Sequence, residues 1–224
     1  EDECRKKGWN LFLCNTNDKH ERDLSYIQIL ADKGVDGILF CMSLDSDKKK
    51  AMESIALLEK LKMPFVMIDR FLEEASCSSV IVNHIQGGYA ASKYLLEQGH
   101  RKIGCVTGPQ ELEDSRDRLT GYQKALKEYG VPYRQELIYE GKYDSESGYL
   151  GAKYLTEQKA TAIFTFNDMS AYGAYNYLKK QKIHVPEQIS LVGYDDIFFS
   201  ELLDVPLTTV RQPVYDMGVE AVKQ

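Results

Sequence analysis

The run Ile189-Ser190-Leu191-Val192-Gly193-Tyr194-Asp195-Asp196, followed by Pro206-Leu207-Thr208-Thr209-Val210-Arg211-Gln212-Pro213, decides the fold. Its first part is a short apolar run that ends in two carboxylates. A buried parallel strand delivering polar groups to its carboxyl end has this form. In an open α/β sheet, ligands bind at that end. The second part reads as a strand leaving one layer for another, so a binding site beside a hinge is expected.

Upstream, the same form recurs in alternation with helices. Strands are expected over 9–15, 37–41, 64–69 and 78–83, with helices over 19–33, 47–61 and 86–98. A second series places strands at 103–107, 136–140, 162–166 and 189–194, and helices at 116–129, 145–157 and 168–180. Strands alternating with helices of this length make βαβ units and a parallel sheet. The fold class is therefore α/β, with two doubly wound parallel-sheet lobes joined by crossovers. The first lobe is assigned to 1–82 plus 210–224 and the second to 83–209. Polar residues collect at the strand ends: Asn15, Cys41, Ser43, Asp69, Thr107, Asn167, Asp168, Asp195 and Asp196. Two lobes with facing carboxyl edges would bring them to one cleft.

Composition narrows the function. The 224 residues are 43% hydrophobic and 28% charged, an ordinary globular balance. A net charge of −6 does not suggest a nucleic-acid surface within these residues. No apolar run approaches the ~20 residues that span a bilayer. Cys4, Cys14, Cys41, Cys77 and Cys105 are odd in number and form no C-x-x-C pair, so they read as reduced core residues of a cytoplasmic protein. The four histidines lack ligand spacing, and no phosphate loop or G-x-S-x-G elbow occurs. No metal, cofactor or enzymatic activity is expected.

Several side chains admit two readings. Asp69 and Asp195 could accept hydrogen bonds from a polyol at ~1.5–3 kcal/mol each, or cap the next element. Asp168 reads as the N-cap of the helix that follows it, and Asn167 as a site residue whose amide donates and accepts. Arg118, beside the apolar Leu119, could offer a fork of donors to a ligand, whereas Arg116 fits a surface ion network. Tyr143 could pack on a sugar or base, or be a half-buried loop tyrosine. Gly87-Gly88 suits helix packing better than anion binding. Arg118→Ala is expected to weaken binding by ~2–4 kcal/mol with little change in circular dichroism.

Ordered markers carry a resemblance across essentially the whole chain. They are Val35-Asp36-Gly37-Ile38, Ile68-Asp69-Arg70, Gly99-His100-Arg101-Lys102-Ile103-Gly104, Thr107-Gly108-Pro109 and Arg118-Leu119-x-Gly121-Tyr122. Phe166-Asn167-Asp168-x-x-Ala171-x-Gly173-Ala174, the two opening runs and Met217-Gly218 complete the set. Together they resemble the effector-binding core of the lactose-repressor/galactose-repressor family of bacterial transcription regulators. The resemblance implies a periplasmic-binding-protein-like type I fold with a ligand, most simply a sugar, held between the lobes. It implies that Arg118, Asn167 and Asp195 contact the ligand, with Asp69 from the first lobe and Tyr143 packing on it. Cys41 and Asp114 fall at pocket positions that vary between members. It further implies operator DNA as a partner, through an N-terminal helix-turn-helix headpiece that this sequence does not contain, and a homodimer to which a Val214-Met217-Ala221 face could contribute. The chain is expected to be part of a longer protein, without membrane association. A secreted sugar-binding protein of an ABC-type transporter is the alternative on the same fold.

Overall fold

The computed structural model describes residues 1–72 and 74–224. The chain divides into two compact units, Glu1–Val82 with Pro213–Gln224, and Asn83–Gln212. In the first unit, α1 (Asp2–Lys6) and α2 (His20–Asp32) precede β1 (Ile38–Phe40), α3 (Lys48–Lys60), β2 (Phe65–Ile68) and β3 (Ser78–Val80), and α8 (Val214–Lys223) closes the unit. The three strands form a parallel sheet in the order β1-β2-β3. Ile27 of α2 and Ala51, Ile55 and Leu58 of α3 pack against Ile38, Phe40 and Met67. Asp47 starts α3 by accepting from the Lys50 amide, a side-chain cap for an otherwise orphan N–H. The apolar stripe of α8 buries Met217, Ala221 and Val222, and the helix packs on β2 and β3. Met217 and Ala221 are thus core residues and not part of the dimer face that the resemblance suggested, although Val214 and Tyr215 are exposed.

The strand expected over 9–15 does not form. Its apolar residues are open to solvent, with Leu13 92% exposed. A strand needs a ladder partner, and none of the described strands pairs with this segment.

The second unit runs α4 (His84–Glu97), β4 (Ile103–Thr107), α5 (Glu113–Glu128), β5 (Ile138–Glu140), α6 (Ser145–Glu157), β6 (Ala162–Thr165), α7 (Asp168–Lys180), β7 (Ser190–Asp195) and β8 (Thr208–Arg211). All five strands are parallel, in the order β5-β4-β6-β7-β8. Side chains alternate across the sheet. Ile103, Cys105, Phe164, Val192 and Tyr194 face a core with α4 and α5. Val106, Ile163 and Leu191 face a core with α6 and α7. This double burial explains why β4 and β6 read as continuous apolar runs. Gly88 lets α4 and α5 close together, because a Cβ there would lie 2.2 Å from the Arg118 carbonyl oxygen.

Two boundaries differ from expectation for a local reason. Asn83 caps α4 through the Gln86 amide, so the helix begins two residues earlier. Glu113 and Asp114 form the first turn of α5, where carboxylates favour the helix dipole. The run 206–213 also behaves differently. Residues 208–211 extend the second sheet beside β7, and the return to the first unit falls at Pro213, three residues later than 210.

Candidate functional site

The strand order reverses at β4: its connection leads to β5 on one side, whereas β6 leads on to β7 and β8 on the other. A crevice opens at such a switch point, outside the carboxyl ends of the strands. The turn after β4, the start of α5, the end of β6 and the end of β7 lie at this edge.

Arg118 lies at the centre of this edge. It is 3% exposed. Its Nη1 donates to the Phe166 carbonyl oxygen. Nε and Nη2 point at His84 Nδ1, at 3.4 and 3.3 Å, and Nη2 is 3.6 Å from Asp114 Oδ2. The guanidinium carbon stands 4.0 Å from the Tyr194 ring centre and 5.5 Å from that of Tyr143. Burial alone would lower its pKa, but Tyr143, Asp114, Tyr194 and Asp195 outweigh burial and raise it, so the cation persists.

Tyr143 has a left-handed backbone, φ 63°. Asn167 holds that backbone by donating from Nδ2 to the Tyr143 carbonyl, 2.8 Å. The Tyr143 hydroxyl donates to Asp114 Oδ2 at 2.7 Å, and burial raises its pKa against the opposing effect of Arg118. Gly108 makes room for the ring, since a Cβ there would sit 2.2 Å from Tyr143 Cζ. Asp114 is buried, and among the described residues its Oδ1 has no hydrogen-bond partner. A buried carboxylate oxygen left so is costly unless a donor arrives.

Asp195 ends β7 at φ 117° and accepts from Gln212 Nε2, 2.7 Å. Asp196, also left-handed, pairs with Arg211 Nε at 2.5 Å. Asn167, not Asp168, is the N-cap of α7, its Oδ1 accepting from the Ser170 amide. The carboxylate of Asp168 turns inward, because three donors await it there. It takes the Ile197 amide and the hydroxyls of Ser200 and Thr209. Arg116 donates to the carbonyls of Gln110 and Glu111 and holds the turn after β4.

Arg118, Asp114, Tyr143, Asn167 and Asp195 therefore share one edge of the second unit. Asp69 and Cys41 occupy the carboxyl edge of the first unit. Asp69 is left-handed at φ 69° and donates its amide to the Val80 carbonyl. Arg70 donates to Met42 O at 2.7 Å. The Cys41 thiol is pushed up to about 11, desolvation outweighing Arg70. The five cysteines are free; Cys41 is exposed as a residue although its thiol is desolvated, Cys14 and Cys77 are half-buried, and Cys4 and Cys105 are core. Among the described residues no cluster of His, Cys, Asp and Glu is arranged for a metal ion, and no helix is long and apolar enough to cross a membrane.

Sequence reasoning missed His84 and Tyr194. Tyr194 was readable as the residue before Asp195, but its hydroxyl meets His84 Nδ1 at 3.2 Å only through the fold. His84 carried no local signal beyond its place at the start of a helix.

Comparison with known proteins follows the same lines. The periplasmic binding protein-like domain family matches residues 92–224. The HTH-type transcriptional repressor PurR of Vibrio atlanticus is 36% identical over 221 residues, covering 97% of this chain and 65% of its own length. The chain thus spans about two thirds of that relative. The transcription regulator CcpA of Lactococcus lactis superposes with TM-score 0.90 at 26% identity, over 99% of this chain and 80% of that one. A LacI family transcriptional regulator from Enterococcus faecium, solved with bound ribose, gives TM-score 0.86 at 29% identity, over 99% and 80%.

Proposed function

The chain belongs to the lactose-repressor family of transcription regulators, with a periplasmic-binding-protein-like fold, and we propose that it is the part of a bacterial repressor that senses a small polar effector. A neutral sugar is the effector this reading favours. The observation that carries it is the make-up of one sheet edge: the Arg118 donors, the buried and unpaired Asp114 Oδ1 acceptor and the Tyr143 and Tyr194 rings. A sugar offers hydroxyls that donate and accept, and an apolar ring face for an aromatic. Asp195 and Asn167 are assigned as further contacts, and Asp69 and Cys41 as contacts from the first unit. The ribose held by the E. faecium regulator supports the same class.

Effector binding would shift a conformational equilibrium only through different affinity for its two states. In the whole protein this would alter operator binding by a helix-turn-helix headpiece, in a cytoplasmic homodimer whose symmetry suits a palindromic operator. The relatives are regulators, which favours this reading over a transporter's secreted binding protein. Calorimetry against ribose, cellobiose and glucose tests it: saturable binding of one is expected. Heat only with a purine base or a protein would overturn the sugar assignment.

A further inference from the structure

We propose that His84 is a positioning residue for the effector: its ring is neutral, protonated on Nε2, and the bare Nδ1 aims the Arg118 guanidinium. This inference rests on the reading of Arg118 as an effector contact.

His84 opens α4 and is 4% exposed. Its Nδ1 is approached by Arg118 Nε, Arg118 Nη2 and the Tyr194 hydroxyl, at 3.4, 3.3 and 3.2 Å. A guanidinium has five donors and no acceptor. The nitrogen facing it is therefore assigned the lone pair, which places the proton of the neutral ring on Nε2. The helix is brought this close by Gly87, where a Cβ would lie 2.2 Å from the Tyr194 hydroxyl oxygen.

The geometry gives this acceptor a specific task. Arg118 is gripped on one side by the Phe166 carbonyl oxygen. On the other side two partners compete for its Nη2: His84 Nδ1, and Asp114 Oδ2 at 3.6 Å. With His84 in place, the guanidinium stays above the Tyr194 ring and the Asp114 carboxylate keeps one oxygen unpaired. Without it, the nearest remaining acceptor for Nη2 is Asp114 Oδ2, and closure onto that oxygen would draw a donor away from the effector. Nδ1 also has one lone pair for two donor groups. When an effector accepts from Arg118, the Tyr194 hydroxyl takes the vacated lone pair, so no buried acceptor is orphaned.

The test compares His84→Asn, whose side-chain carbonyl can stand near the position of Nδ1, with His84→Leu, which keeps bulk and loses the acceptor. Ribose, cellobiose and glucose are the probes, with folding checked by circular dichroism. The leucine variant is expected to lose about tenfold or more in affinity, the size of a charge-assisted hydrogen bond, and the asparagine variant to stay near wild type. Equal loss in both, or loss in neither, overturns the positioning role alone. A wild-type protein that binds none of the three sugars takes the sugar reading and this role down together. Long-range nitrogen NMR of the wild-type ring at about pH 7.5 decides the tautomer without any ligand. A proton on Nε2 and none on Nδ1 is expected, and a protonated Nδ1 overturns the inference even if the leucine variant fails to fold.

Discussion

Arg118→Met tests whether Arg118 only borders the proposed site or is also built into the core. The guanidinium is 3% exposed and donates to a main-chain carbonyl. Its loss would leave the Phe166 oxygen unsatisfied, about 1–3 kcal/mol. It would also forfeit the stacking on Tyr194, roughly 2 kcal/mol for a desolvated cation on an aromatic face. The buried Asp114 carboxylate would lose its neighbouring cation, while the cost of desolvating the guanidinium disappears. Removing one partner from a buried charged set usually costs about 3–5 kcal/mol, and that is the expected loss. For a domain of this size it corresponds to a fall in Tm of roughly 10–15 °C. Urea unfolding monitored by circular dichroism measures it, and Asp114→Asn in the same background should recover part, since neighbouring groups couple by about 0.5–3 kcal/mol. A loss under ~1 kcal/mol would refute the reasoning and return Arg118 to the simple contact the sequence suggested. For Arg118→Ala, the expected small change in circular dichroism applies to the folded spectrum at low temperature, and the stability is expected to fall as for methionine.

Other perturbations probe the supports of the site. Asp168→Ala removes the acceptor for Ile197, Ser200 and Thr209 and should cost about 2–4 kcal/mol, given ~1.5–3 for a hydrogen bond to a charge; limited proteolysis should then cut first within 197–207. Gly108→Ala drives a methyl into the Tyr143 ring, so ribose affinity should fall with a stability loss of about 1–3 kcal/mol, read by calorimetry and urea unfolding. His100 bridges the hydroxyls of Thr161 and Ser190, and desolvation lowers its pKa. The unfolded chain therefore takes up this proton first: the stability is present above the unfolded value of about 6.5 and lost as pH falls through the lower folded value. Tm of wild type should drop more than that of His100→Asn between about pH 7.5 and 5; equal drops would contradict the assignment.

How much was legible follows from where the information resides. β4, α6 and α7 were readable to within a residue because their apolar periods are satisfied by the helices and strands next in sequence. The segment 9–15 has a similar apolar run but no described strand beside it, and an apolar run without a ladder does not make a strand. The caps were half legible. Asn167 and Asp168 both suit a helix start, and only the inward donors of Ser200 and Thr209, remote in sequence, draw Asp168 away from that role. The candidate edge was found because carboxylates and an asparagine terminate apolar strands. Its organisation was not. Arg118 is held by Phe166 and His84, 48 and 34 positions distant, and no local pattern announces such partners. The left-handed backbones of Asp69, Tyr143 and Asp195 are a further signal invisible in sequence, since strained non-glycine residues gather at functional sites.

The central claim, that a sugar seats on the carboxyl edge of the second sheet, is tested most directly by backbone NMR during titration with ribose and cellobiose. Saturable shifts concentrated at Gly108, Asp114, Tyr143, Asn167 and Asp195 are predicted. Saturable binding whose shifts leave these five residues unmoved would contradict it.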